Sequence, residues 1–214
     1  MPTKFICLAN SFKEGGRCLA GIELDANNNP VLVNGRPKWI RPICNTAHGE
    51  VPNHIAQPFQ ILDIIQINIT ENKPENHQSE NVAFNENTIR VIGNFNRSQL
   101  SPLCDNRNLI FGNRGKAVSQ DSIGGLNHSL MLVDVNQFEV TQKVYDDRRE
   151  RPQTRLVFTY NTNRYDFPVT DPVFLHRYQT NPDLLEGVNQ VYLSLSLGVI
   201  WEDWYYKLVA GIIF

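Results

Sequence analysis

Several stretches of this chain alternate apolar and polar side chains with a period of two. Ile65, Ile67 and Ile69 share one side of such a stretch, while Gln66 and Asn68 share the other. Val191, Leu193, Leu195 and Leu197 alternate in the same way with Tyr192, Ser194 and Ser196. Leu156, Phe158 and Tyr160 repeat the pattern. A period of two belongs to a β-strand buried on one face. Turn-forming residues separate the runs: Gly15-Gly16, the Asn/Gly/Pro-rich segment 25–37, and Asn161-Thr162-Asn163. Many short strands with little helical periodicity predict an all-β protein with minor helices, a sandwich or barrel. Closure into barrels removes the unpaired edges that otherwise aggregate.

A chain of 214 residues holds one large domain or two small ones. The reading adopted is two OB-like small β-barrels in tandem. It places an N-terminal barrel at 1–87, an irregular connecting region at 88–125 and a C-terminal barrel at 126–214. Within the connecting region, 88–92 reads as a strand, Ser98 caps a helical turn reaching Leu103, and four glycines mark 112–125 as loop. Trp39-Ile40-Arg41-Pro42 reads as an edge strand or strand end, because Pro42 has no N–H to donate. Thr170-Asp171-Pro172 opens a helix: Asp171 caps it, Pro172 suits its first position, and Phe174 pairs with Tyr178. Residues 198–203 turn the chain before a final strand at 205–213.

Hydrophobic residues make up 41% and charged residues 20%, which excludes a disordered chain. The net charge of -2 supplies no global field for polyanions, so any nucleic-acid binding rests on a local patch. Cys7, Cys18, Cys44 and Cys104 form no close pair, and three lie in apolar runs. Buried reduced thiols in a cytoplasmic protein are the expectation. The start lacks the pattern of a signal peptide, and no apolar stretch is long enough to span a bilayer. His48, His54, His77, His128 and His176 show no zinc spacing, so neither metal nor cofactor is expected. Gly112-Asn113-Arg114-Gly115-Lys116-Ala117 has glycines too close for a phosphate loop, and Ala117 stands where that loop needs Ser or Thr.

Two constellations carry binding chemistry. In Asn10-Ser11-Phe12-Lys13-Glu14-Gly15-Gly16-Arg17, the glycines allow close backbone approach and Lys13 and Arg17 can meet phosphate. Asn10 and Ser11 can hydrogen-bond a base or ribose; the alternative is a β-turn that satisfies its own backbone. In Arg36-Pro37-Lys38-Trp39-Ile40-Arg41, alternation puts Trp39 and Arg41 on one face, a stacking ring beside a cation. The alternative buries Trp39 in the core, with Arg41 capping the barrel end. The run 146–151 mixes signs and reads as a solvated hairpin tip. No motif marks a nucleophile or a carboxylate pair, so a binding protein is favoured over an enzyme. An enzyme would draw on Asn10, Lys13, Glu50, His77, Glu80 and Asp171. A protein adaptor would use Trp201, Trp204 and Tyr205, which read first as packing of the last strands.

Several of these segments together resemble one family. Ile6-Cys7-Leu8-Ala9-Asn10-Ser11, Lys13, Gly15-Gly16-Arg17-Cys18 and Ala20-Gly21 are similar to the opening of the bacterial dual OB-containing domain family. Trp39-Ile40-Arg41-Pro42, Gln60-Ile61-Leu62-Asp63-Ile64, and Glu80-Asn81 near His77-Gln78 resemble later motifs. Val169-Thr170-Asp171-Pro172-Val173 and Tyr205-Tyr206-Lys207-Leu208-Val209-Ala210 extend the resemblance over nearly the whole chain. It implies two OB folds in one unit and a setting in prokaryotic defence, with sensing of single-stranded nucleic acid or a nucleotide. The ligand residues then expected are Asn10, Ser11, Lys13, Arg17, Trp39, Arg41 and His77, the last being the only histidine inside a matching segment.

Overall fold

The computed structural model describes residues 2–145 and 152–214. The charged run at 146–151 lies outside the described residues. Two compact units emerge, Met1–Asp105 with Asn127–Ser129, and Asn106–Leu126 with Leu130–Phe214. Strands dominate both.

The first unit contains β1 (Pro2–Lys13), β2 (Gly16–Leu24), a small hairpin of β3 (Leu32–Val33) and β4 (Arg36–Pro37), and β5 (Trp39–Ile43). Then come α1 (Asn53–Ala56), β6 (Asp63–Asn72), β7 (Asn81–Phe84) and β8 (Arg90–Asn94). The order β1-β2-β5-β7-β6 closes on itself, because β6 pairs back onto β1. Every contact in the ring is antiparallel except β5–β7, which is parallel. This is the five-stranded Greek-key barrel of the OB fold, with β8 added outside on β6. Phe5, Cys7, Leu19, Ile40, Ile65, Ile67, Val82 and Phe84 fill it. Gly21 is obligatory where β2 crosses β1: a Cβ there would lie 1.6 Å from the Ile6 carbonyl oxygen.

Pro42 does not make β5 an edge. The strand pairs with β2 on one side and β7 on the other. Its register with β2 covers Trp39 and Ile40 only, so the missing Pro42 N–H falls where no β2 partner waits. Ser98 is not the cap of its turn. Asn96 is, its side chain accepting from the Ser98 N–H at the start of a short 3-10 turn, Arg97–Gln99.

The second unit adds β9 (Ala117–Ser119), α2 (Gln120–Ile123), β10 (Leu130–Val135), β11 (Phe138–Lys143), β12 (Gln153–Tyr160) and β13 (Asn163–Pro168). It ends with α3 (Pro172–Thr180), β14 (Val191–Trp201) and β15 (Trp204–Ile213). Its strands form two sheets, β10-β14-β15-β9 and β11-β12-β13. A single parallel bridge, Val169 to Val209, joins the end of β13 to β15. Taking β10 and β11 as one strand broken at Asn136-Gln137 gives the strand order of the first barrel, again with one parallel contact. α3 occupies the same place in that order as α1. The expected loop at 112–125 contains β9 and α2, elements too short to leave a periodic signal. Among the described residues no helix is long and apolar enough to cross a membrane.

Candidate functional site

The β1–β2 hairpin ends in a two-residue turn, Glu14-Gly15, with both φ angles positive (42° and 83°). Such a turn matches strand twist, and glycine takes the second position without strain. It sets Phe12 opposite Arg17. The Arg17 guanidinium lies 4.7 Å from the centre of the Phe12 ring, a cation–π contact. Phe12 is 54% exposed, and Lys13 beside it is half-buried. Asn53 at the start of α1 fixes this tip. Its Oδ1 accepts from Arg17 Nε at 3.0 Å, and its Nδ2 donates to the Gly15 carbonyl at 2.8 Å. Gly16 cannot carry a side chain, since a Cβ would sit 2.8 Å from Glu50 and from the Val51 carbonyl.

Asn10 and Ser11 are buried, and neither faces solvent. Asn10 Nδ2 donates to the carbonyls of Ala56 and Phe59 at 2.9 and 2.8 Å, tying β1 to the end of α1. Their burial departs from the solvent-facing placement expected of residues that contact a base or ribose directly.

Trp39 and Arg41 share the outer face of β5, as alternation requires, since Ile40 between them belongs to the core. Trp39 is half-buried and sits opposite Ile22. Arg41 departs from the expected surface cation, at only 2% exposure. Its Nη2 lies 3.0 Å from Glu80 Oε1 and 2.7 Å from Ser129 Oγ, and Ser129 Oγ in turn donates to Glu80. Ser79 Oγ donates to the Asn127 carbonyl at 2.7 Å, securing the segment Asn127–Ser129 to which Ser129 belongs. A buried cation needs a paired, hydrogen-bonded carboxylate, and Glu80 supplies it. His77 is also buried; desolvation first, then the Arg41 charge, lowers its pKa to about 4, so it is neutral at pH 7.

The residues expected to act together thus divide. Arg17 lies an odd number of positions from Ile22, which faces Trp39, so Arg17 and Trp39 point to opposite faces of β2. Phe12 was not among the expected residues. A turn at Gly15-Gly16 would set Glu14 across from Arg17; the turn lies one residue earlier, at Glu14-Gly15, and that register sets the aromatic ring there.

In the second unit, Asp171 is the N-cap of α3. Lys207 is fully buried and donates to the carbonyls of Ile110 and Asn113 at 2.6 and 2.8 Å, and to Asn113 Oδ1 at 2.9 Å. Three acceptors suit the three hydrogens of an ammonium. Burial nevertheless pulls its pKa down to about 7. Trp201 and Trp204 are exposed, at 61% and 46%, and do not pack the last strands as first read, whereas Tyr205 packs against the core. Among the described residues no three of His, Cys, Asp and Glu gather in a metal-holding group.

The family model described as the dual OB-containing domain matches residues 3–212. No curated protein matches. One solved structure, titled "Molecular basis for abrogation of activation of pro-inflammatory cytokines", is similar over 100% of this chain and 93% of its own, at 13% identity and a TM-score of 0.35. A replication protein A heterotrimer bound to ssDNA is similar over 92% of this chain and 44% of its own, at 11% identity and a TM-score of 0.34.

Proposed function

The chain belongs to the dual OB-containing domain family, and from that premise we propose that it binds a compact nucleic-acid ligand, a nucleotide or the end of a single strand. The carrying observation is the exposed Phe12 ring with the Arg17 guanidinium against it and Lys13 alongside, at the β1–β2 turn of a closed OB barrel. OB folds bind through this turn, the turn between their fourth and fifth strands, and the face between them. A base stacks on Phe12 while Arg17 and Lys13 meet its phosphate. Trp39, on the other face of the sheet, offers a second stacking surface. Asn10 ties β1 to the end of α1 behind the hairpin, with Ser11 buried next to it, and Arg41 pairs with Glu80 at the end of the β6–β7 turn, in which His77 is buried. With a net charge of -2 the chain has no global positive field to hold a long strand, which favours a small ligand. We extend the reading to a cytoplasmic protein of a prokaryotic defence system, on the family resemblance and on four cysteines that form no disulfide.

Fluorescence anisotropy with labelled single-stranded oligonucleotides and nucleotides tests this reading. Loss of one stacked base is worth roughly 1–3 kcal/mol, so Phe12→Ala weakens binding about tenfold or more. Phe12 is exposed, so the variant keeps its fold. Wild-type protein that binds neither class of ligand, or a Phe12→Ala protein that binds as well as wild type, overturns the proposal.

A further inference from the structure

The tip of the β14–β15 hairpin carries a second exposed aromatic feature, unconnected with Phe12. Trp201 and Trp204 lie directly opposite each other across the turn. Tyr205 and Lys207 point into the core, so Trp204 and Tyr206 share the outer face, with Trp201 beside Trp204. Val199 and Ile200 next to them are exposed as well. At the root of this face Lys116 lies 5.8 Å from the Tyr206 ring.

The turn between the tryptophans is Glu202-Asp203, with φ of 46° and 66°. Left-handed backbone at two consecutive positions favours Asn-Gly. This chain uses that pair at the β3–β4 turn, Asn34-Gly35, with φ of 52° and 75°. At the tryptophan tip it instead keeps two residues with strained backbone and sets two exposed carboxylates between two exposed indoles. Asp121 follows Gln120, whose N–H donates to the Asp203 carbonyl, and is a third exposed acid near the tip.

Indole faces attract cations, and carboxylates beside them reinforce that preference while repelling phosphate. We infer that this tip docks a basic segment of a partner protein: an Arg or Lys side chain stacks on the Trp201–Trp204 pair, and Glu202 and Asp203 neutralise its charge. Exposed paired tryptophans also match the residue type that dominates binding energy at protein interfaces. The inference does not rest on the proposed nucleic-acid contact and stands or falls without it.

The chain has three tryptophans, so a Trp39→Phe protein reports through Trp201 and Trp204 alone. Indole emission is titrated with a short peptide of arginines spaced by glycine and serine, and with its citrulline counterpart, which keeps the shape and loses the charge. The expected result is a saturable change with arginine and none with citrulline. A Glu202→Asn/Asp203→Gly variant installs the pair found at the β3–β4 turn. It keeps or raises the thermal midpoint while binding the arginine peptide about tenfold more weakly. Four outcomes overturn the inference: no response from the unmodified tip, equal binding by the Asn-Gly variant, the same saturable response to a single-stranded oligonucleotide, or an emission change that tracks self-association by sedimentation.

Discussion

In the first barrel a buried arginine meets a carboxylate; in the second a buried lysine meets carbonyl and amide oxygens. Arg41 is neutralised by Glu80 and steadied by Ser129. Lys207 is held by Ile110 and Asn113 with no carboxylate among the described residues, and two aromatic rings, Tyr165 and Phe167, stand 5.7 and 5.9 Å away. The barrels also close differently. The first pairs its third and fifth strands over several residues, Arg41 to Ile43 against Asn81 to Ala83. The second makes that contact with one bridge. The same strand order therefore carries a buried charge in two ways, on the covered outer face of one barrel and in the interior of the other. The paired charge fixes a loop to a strand. The lysine clamps the segment that carries Phe111, a non-glycine residue at φ 46°, against the fifth strand.

The largest effect expected from this contrast follows loss of Arg41. Arg41→Met leaves the Glu80 carboxylate buried without its cation, and destabilises the protein by about 3–5 kcal/mol. Adding Glu80→Gln recovers much of that loss, because the stranded charge is gone. Urea unfolding of the two single variants and the double variant measures the coupling. Additive losses would show that Arg41 and Glu80 do not work as a pair.

Lys207 provides the smaller counterpart, and its signature is pH. Its folded pKa is about 7, below the ordinary 10.5. Between those values the unfolded chain holds a proton that the folded one lacks, so stability rises with pH across the window and is lost as pH falls towards 7. From pH 7 to 9 the gain is about 2–3 kcal/mol. Lys207→Met removes this slope, while variants of Arg41 keep it. The check is the difference between wild-type and Lys207→Met unfolding curves across pH 7 to 9. A difference that does not change with pH would mean that the three acceptors hold the ammonium charged and outweigh burial.

What the chain's residues announced in advance was local. The alternation at Ile65, Ile67 and Ile69, and at Val191 to Leu197, is a property of neighbours in sequence, and both runs lie in β6 and β14. Asp171-Pro172 names the start of α3 because cap and first turn lie within three residues. The fate of Arg41 was not local. Its hydroxyl partner, Ser129, is 88 residues away, and alternation predicts which face Arg41 takes without predicting what covers that face. Lys207 is the same case, its partners lying 94 and 97 residues off. Phe12 lies between these extremes: its cross-strand neighbour follows from the turn, while its exposure depends on where the barrel ends.

The helices that fill equivalent places in the two barrels give the smallest effect. α1 has four residues and starts at Pro52 with no side-chain cap. α3 has nine, and the Asp171 carboxylate accepts from the N–H groups of Val173 and Phe174 at 3.0 and 3.1 Å. Its other oxygen lies 3.3 Å from the Ile212 N–H, linking the helix start to β15. Asp171→Ala therefore costs about 1–2 kcal/mol. Asp171→Asn retains most of that, because a carboxamide oxygen still accepts from the first turn. Pro52→Ala removes no cap hydrogen bond and leaves the urea midpoint nearly unchanged. If Asp171→Asn falls as far as Asp171→Ala, the charge and its tie to β15 matter more than the cap, and the two helices differ by their connection to the sheet rather than by how they begin.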